Sequence, residues 1–191
     1  MSLPRCVVWE PLEEGLQGHD LVVLSTDNRG WFSAHGTVAA VQDGVPWGVH
    51  YELSVDTRWR TRFASVTALD ASGRRTVLLD LDGEGRVVVN AKALPELAGC
   101  LDVDLAATPF TNTLAIRRLR LEVGQSAVAR AVWVGAPHLE LEVLEQTYTR
   151  IGVDRYRYEV PASGFSAELT VDDEGLVVDY TGLARRVASS G

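Results

Sequence analysis

The sequence has little cysteine and little lysine, and acidic residues outnumber basic ones. Its two cysteines, Cys6 and Cys100, fit neither a disulfide framework nor a zinc site. Lysine occurs once, at Lys92, among 18 lysines and arginines, and the formal net charge is −8 at pH 7. Because a negative protein repels phosphate backbones and anionic lipid surfaces, we expect no nucleic-acid partner.

Long apolar segments are also missing. No run approaches the roughly 18 apolar residues of a membrane helix. The N-terminal stretch MSLPRCVVWEPLEEG lacks the basic and then apolar regions of a signal peptide. We therefore expect a cytoplasmic protein without a transmembrane segment. The length of 191 residues fits a single domain over 1–191 with a sizeable core.

Polar and apolar residues alternate with a period of two, which is typical of strands with one buried face. In 49–56, Val49, Tyr51, Leu53 and Val55 share one face. Similar alternation occurs at 139–143, 155–160 and 165–172. Turn-forming dipeptides separate these segments and predict roughly ten to thirteen strands. We predict a mainly antiparallel all-β roll, sandwich or barrel, with one or two short helices at 91–98 and 183–187.

Two pairs of segments suggest an internal duplication, roughly 1–95 and 96–191. Residues 50–55 (HYELSV) align with 138–143 (HLELEV). Residues 79–88 (LDLDGEGRVV) align with 169–178 (LTVDDEGLVV) at nearly the same offset. Such patterns also recur by chance in β proteins, so the duplication is a hypothesis.

Polar groups are concentrated in residues 99–120, GCLDVDLAATPFTNTLAIRRLR. On a strand, Asp102 and Asp104 share a face, and 108–113 is predicted to be a turn. In a following strand Arg117 has the parity of the inward leucines, so it needs an acceptor. A hairpin would bring it to the two aspartates.

This cluster has two interpretations. It is either a ligand anchor at the mouth of a cavity or an Asp–Arg clasp that only fixes the hairpin. A metal site is a weaker alternative, because two aspartates beside arginines are a poor signal. The stretch 80–85 begins like a calcium loop, but its twelfth position is Ala91 instead of glutamate. We expect no resident metal and no cofactor.

Aromatic and basic residues at 58–63 give a second candidate surface. Trp59 and Phe63 have the same parity, so we expect both on one sheet face, where they would line an apolar pocket. Arg60 belongs to an arginine row at alternate positions, which is either a solvated strand face or an anion site.

The block GCLDVDLAATPFTNTLAIRRLRL resembles the signature of the glycolipid-binding family, once known only as a domain of unknown function. The segments YELSVD (51–56), QTYTR (146–150) and VDDEGLVVDY (171–180) extend the resemblance over nearly the whole chain. It implies a fold related to bacterial lipoprotein carriers, an incompletely closed β-barrel or β-roll with an apolar interior. No catalytic residues come with it. The motif positions matched are Asp102, Asp104, Thr108, Thr111, Asn112, Arg117 and Arg118.

We therefore predict a binding protein for a lipid or glycolipid, with these motif residues, Trp59 and Arg60 as candidate contacts. Two alternatives remain open. One is an interaction or structural module, for instance a homodimer formed through a sheet edge. The other is a hydrolase or isomerase that uses Asp102 or Asp104 as an acid or base; we favour a protein that is not an enzyme.

Overall fold

This computed structural model describes residues 5–190, which contain fifteen strands and one α-helix joined by turns and loops. The strands are β1 (Arg5–Pro11), β2 (Leu16–Thr26), β3 (Phe32–Gln42), β4 (Val45–Val55), β5 (Thr61–Asp70), β6 (Gly73–Leu81), β7 (Val87–Val89), β8 (Lys92–Ala93), β9 (Asp102–Leu105), β10 (Ser126–Val134), β11 (Leu141–Arg150), β12 (Arg155–Val160), β13 (Phe165–Val171), β14 (Val177–Tyr180) and β15 (Ala184–Ser190). The helix α1 spans Phe110–Leu119, and a 3-10 turn spans Pro95–Leu97.

All these strands belong to one sheet, in the order β8-β7-β6-β5-β4-β3-β2-β1-β15-β14-β13-β12-β11-β10-β9. Neighbouring strands are antiparallel except β9 and β10, which are parallel. The first and last strands, β1 and β15, pair side by side within the sheet. Because β8 and β9 remain at the two edges, the sheet does not close into a barrel. The predicted open, mainly antiparallel β-fold is confirmed.

The predicted alternation defines the inner face of the sheet. Val49, Tyr51 and Leu53 are each at most 2% exposed, whereas His50 and Glu52 are exposed. The chain has one short helix, as predicted, but the two places predicted for it are wrong. The segment 91–98 contains the short strand β8 and the 3-10 turn, and 184–190 forms β15, because pairing with β1 gives its backbone groups hydrogen-bond partners.

Helix α1 packs against the inner side of the sheet, and every residue from Phe110 to Ile116 is buried. Phe110 and Leu114 belong to the apolar cluster contributed largely by β1–β9. Ala115 and Ile116 belong to a second cluster with residues of β10–β15. The helix therefore contacts the cores of both halves of the chain.

The start of this helix is set by a threonine and a proline. Thr108 Oγ1 accepts a hydrogen bond from the Phe110 N–H at 3.0 Å, as an N-capping side chain does. Pro109 already has helical backbone angles, φ −73° and ψ −13°. At the other end, Arg120 has φ 49° and its N–H donates to the Ile116 carbonyl at 3.2 Å.

The predicted turn at 108–113 and the hairpin that follows it are therefore wrong. Residues 110–119 are helical, and the chain crosses over from β9 to reach β10 in parallel. Thr111, Asn112 and Thr113 are weak helix formers, which is why this stretch looks like a turn. All three are buried, so tertiary packing outweighs their local preference.

Four hairpins at β2–β3, β4–β5, β6–β7 and β13–β14 share one turn design. In each, an aspartate Oδ1 accepts hydrogen bonds from the backbone N–H groups two and four residues later, as an Asx turn does. The aspartates are Asp27, Asp56, Asp82 and Asp172. The residue three positions after each aspartate has a positive φ. It is glycine in three of the turns, but in the β4–β5 turn it is Trp59, at φ 63°. A large side chain in this conformation is strained unless its contacts compensate.

Candidate functional site

A cavity of about 490 Å³ opens on the inner side of the sheet beside the segment that joins β9 to α1. Its volume lies within the range of small-molecule sites. Its walls are mainly apolar: Trp9, Leu16, Val38, Ala40, Trp47, Leu105, Pro109, Trp133, Leu144, Val160 and Leu183. Exposed residues such as Glu13, Gln42, Ser163 and Phe165 surround its mouth, and buried polar residues form its floor.

The first polar group of the floor is Asp20, on β2 and only 4% exposed. It follows the inward parity of Val22 and Leu24. The Tyr51 hydroxyl lies 3.1 Å from Asp20 Oδ1, and the Thr108 hydroxyl donates to Oδ2. Burial raises the pKa of Asp20 from its ordinary 3.8 to about 7, although these two hydroxyl donors oppose the shift.

A glycine opposite Tyr51 makes this arrangement possible. Gly36 on β3 pairs with Tyr51 on β4, and a Cβ at Gly36 would lie 2.0 Å from the tyrosine ring. The ring therefore occupies the space that any other side chain would need. The ring thus crosses β3, and its hydroxyl group lies beside Asp20 on β2.

The second polar group is Asp104, near the end of β9. Its Oδ1 accepts a hydrogen bond from Thr111 Oγ1 at 2.8 Å, and its Oδ2 accepts one from Gln146 Nε2 at 2.5 Å. Asn112 is the third polar residue of the floor, and its Oδ1 accepts a hydrogen bond from the Tyr148 hydroxyl at 2.9 Å. Burial raises the pKa of Asp104, against the effect of its two donors.

Negative groups line the cavity, and no arginine or lysine within residues 5–190 does. The carboxylates are those of Glu10, Glu13, Asp20 and Asp104. Arg185 lies 2.5 Å from Glu10 at the protein surface. Asp20 and Asp104 accept hydrogen bonds only from hydroxyl and amide donors of the described chain. The floor is thus rich in hydrogen-bond acceptors and has no arginine or lysine among the described residues, and His19 lines the cavity from an exposed position.

Three of the nine predicted site residues line this cavity: Asp104, Thr108 and Asn112. Thr111 does not line the cavity, but it donates a hydrogen bond to Asp104, which does. The remaining five lie elsewhere. Asp102 is buried and pairs with Arg118 through bonds of 2.9 and 3.2 Å from Nε to its two carboxylate oxygens.

The predicted clasp between Arg117 and the two aspartates is wrong, because helix α1 directs Arg117 away from them. Its guanidinium lies 4.3 Å from the centre of the Trp59 ring and donates to the Glu174 carbonyl. It therefore joins the β4–β5 turn to the β13–β14 turn. A clasp does exist, but Arg118 forms it with Asp102.

The second predicted surface, at 58–63, does not form a pocket. Trp59 lies in the β4–β5 turn and packs on the core, with its ring 5.0 Å from that of Phe32. Phe63 pairs with outward-facing Ser54, so the two aromatic residues do not share a face. Arg60 is held by Asp56 at 3.0 Å and Glu84 at 2.9 Å, which makes it part of a turn.

Sequence reasoning missed Asp20, which lines the cavity, and the roles of Tyr51 and Gln146, whose side chains hydrogen-bond to Asp20 and Asp104. Each follows the inward parity of its strand, where an apolar residue is the usual choice. A charged or amide side chain among inward positions was therefore the available signal. Within residues 5–190, no group of three or more His, Cys, Asp and Glu side chains is placed to hold a metal ion.

A family model described as "Putative glycolipid-binding" matches residues 6–186. The chain belongs to this glycolipid-binding family. The chain is also similar to a DUF1089 family protein from Pseudomonas aeruginosa, whose crystal structure is known. The two are 38% identical, with a TM-score of 0.80, over 88% of this chain and 92% of that one. No curated protein matches the chain.

The predicted family is thereby confirmed. Membership in the glycolipid-binding family agrees with the open sheet and its partly apolar cavity. In the described residues, no helix is both long and apolar enough to cross a membrane.

Proposed function

We propose that this protein binds an amphiphile of the lipid or glycolipid type in the cavity beside α1. The observation that carries the proposal is the combination of about 490 Å³ of open space, apolar walls and a polar floor. Burial of methylene groups contributes about 0.8 kcal/mol each, so the walls supply affinity. The polar groups of the floor orient the ligand. The family description supports the same class of ligand.

The alternative of an enzyme that uses Asp102 and Asp104 is less well supported. Asp102 is buried and held by Arg118 on both oxygens, so it is not available to a substrate. Asp104 lines the cavity, where Thr111 and Gln146 each donate one hydrogen bond to it and leave further acceptor positions that suit hydrogen bonding to a bound ligand. The geometry favours binding over acid–base chemistry.

Native mass spectrometry of protein purified gently from its own host tests the proposal. We expect a stoichiometric bound mass that denaturation releases and that is identified as a lipid or glycolipid. A cavity without any bound species, together with no binding of added alkyl glycosides, would contradict it. The same spectrum tests the alternative of a homodimer.

Two neighbouring alanines of β3 provide matched variants. Ala40 lines the cavity and is 8% exposed, whereas Ala39 is exposed on the opposite face of the same strand. Ala40→Trp is expected to fill part of the cavity and remove the bound mass. Ala39→Trp adds the same side chain outside the cavity and is expected to retain it. Thermal unfolding of both variants checks that they fold.

A further inference from the structure

The floor of the cavity has an unusual charge balance for a lipid site. It carries two carboxyl groups, those of buried Asp20 and half-buried Asp104, and no arginine or lysine among the described residues lines the cavity, while His19 lines it from an exposed position. Sites for phosphate, sulfate or carboxylate head groups use arginine, lysine or clustered backbone N–H groups. Helix α1 begins beside the cavity, but its Phe110 N–H donates to Thr108 Oγ1 and its Asn112 N–H donates to the Pro109 carbonyl. The two arginines of helix α1, Arg117 and Arg118, are engaged by Glu174, Trp59 and Asp102.

We infer that the polar part of the ligand lies at this floor, is uncharged and donates hydrogen bonds through hydroxyl groups, as a neutral sugar does. This inference rests on the proposed function and specifies its ligand. It excludes phospholipids and acidic glycolipids as ligands of this cavity.

The hydrogen-bond capacity of the two carboxyl groups supports this assignment. An ionised carboxylate has about four acceptor positions. Asp20 is approached by two hydroxyl groups, and Asp104 by one hydroxyl and one amide. Both therefore have acceptor positions left for donors of a ligand. Asn112 also lines the floor; its Nδ2 donates one N–H to the Pro109 carbonyl at 3.3 Å, which leaves its second N–H for the same ligand.

Electrostatics argues against an anionic group at this place. Burial already raises the pKa of both Asp20 and Asp104, so the surroundings disfavour even the existing negative charges. A further anion near the two ionised carboxylates is opposed by a repulsion equivalent to a factor on the order of a hundred in affinity, about tenfold from each carboxylate.

A pair of ligands that differ only in charge tests the inference. Octyl glucoside and octyl glucuronide have the same chain and ring, but the second carries a carboxylate. Titration calorimetry below their micelle concentrations, at about pH 8 so that Asp20 is ionised, compares the two. We expect octyl glucuronide to bind about a hundredfold more weakly than octyl glucoside.

Charge-removing variants locate the effect. Asp20→Asn and Asp104→Asn each keep the side-chain shape and are expected to reduce the difference between the two ligands to about tenfold or less. Asp80→Asn removes the same charge from an exposed position of β6 and is the matched control, with the difference unchanged. Because Asp20 and Asp104 lie on separate strands, one variant still gives the measurement if the other does not fold.

The outcomes separate the inference from the proposed function. Equal binding of the two octyl ligands, or a preference for the glucuronide, would overturn the inference while amphiphile binding would stand. Tighter binding of octylammonium than of octyl glucoside would reassign the floor to amines and also overturn it. If none of the three binds, the proposed function fails and the inference fails with it.

Discussion

Replacement of Asp20 by asparagine should change how the stability of the fold depends on pH. Burial raises the pKa of Asp20 from 3.8 to about 7. The folded protein therefore keeps this proton up to about pH 7, whereas the unfolded chain releases it near pH 4. The stability from the protonated group is fully present below the unfolded pKa. It is lost as the pH rises through the folded pKa.

The expected change in the free energy of unfolding follows from the pKa difference between the folded and unfolded states, because each pKa unit corresponds to about 1.4 kcal/mol. Between about pH 5.5 and pH 7 the wild type should lose about 2 kcal/mol relative to Asp20→Asn, with little further change up to about pH 8.5. Lower pH is avoided because the isoelectric point is near 5.0, where a vanishing net charge promotes association.

Urea unfolding, followed by tryptophan fluorescence at several pH values, measures this difference. The amide loses a charged acceptor for Tyr51 and Thr108, which adds a constant offset, so the informative quantity is the change with pH. Asp80→Asn, at an exposed position, is the control and is expected to alter the stability little. A difference between wild type and Asp20→Asn that is constant with pH, or that falls as pH rises, would refute the reasoning.

Three further predictions concern the clasp, the strained turn and the ligand. Arg118→Met leaves Asp102 buried without its partner and should lower the free energy of unfolding by about 3 kcal/mol in urea titrations, whereas Arg120→Met should change it little. Trp59→Gly relieves the positive φ but removes the contacts with Arg117 and the core, so the same assay should show a net loss of about 2 kcal/mol. An alkyl glucoside series should bind about fourfold more tightly per added methylene until the cavity is full, as measured by calorimetry.

Each of these predictions has a result that contradicts it. Equal stability of the Arg118→Met and Arg120→Met proteins would mean that the Asp102–Arg118 pair does not stabilise the fold. A gain in stability for Trp59→Gly would mean that backbone strain outweighs the contacts of the ring. An affinity that does not depend on chain length would place the alkyl chain outside the cavity.

The sheet was accessible from the sequence because its strands have one buried and one exposed face. Alternation around Tyr51 and around Tyr158 fixes which side chains point inward, and the Asx turns mark where several hairpins reverse. Pairing of β1 with β15 had no comparable signal, since it joins segments more than 170 residues apart. Such contacts depend on the closure of the whole fold and not on local preference.

Helix α1 could not be predicted from the sequence, for a different reason. Thr111 and Asn112 favour turns in isolation, and their helical conformation depends on partners contributed by other strands, such as Asp104 and Tyr148. The floor of the cavity depends on the same contacts. Its member Asp20 is 88 residues from Thr108 in the chain, so only the folded structure brings them together.

The internal duplication stays a hypothesis, and the order of the elements gives it a specific form. The second half repeats the sequence of strands of the first half if α1 occupies the place of β2. We propose that β9 and β10 became parallel neighbours because the strand between them was replaced by this helix. The shared Asx turns at Asp82 and Asp172 lie within the aligned segments. A solved relative with a strand at this place would support the proposal.

The most direct test of ligand binding in the cavity is a crystal structure of the protein grown with octyl glucoside. We expect the sugar at the floor, with a hydroxyl group within hydrogen-bonding distance of Asp20 or Asp104, and the alkyl chain along Trp9 and Val160. An empty cavity at saturating ligand concentration, or a ligand bound only on the outer face of the sheet, would contradict this assignment.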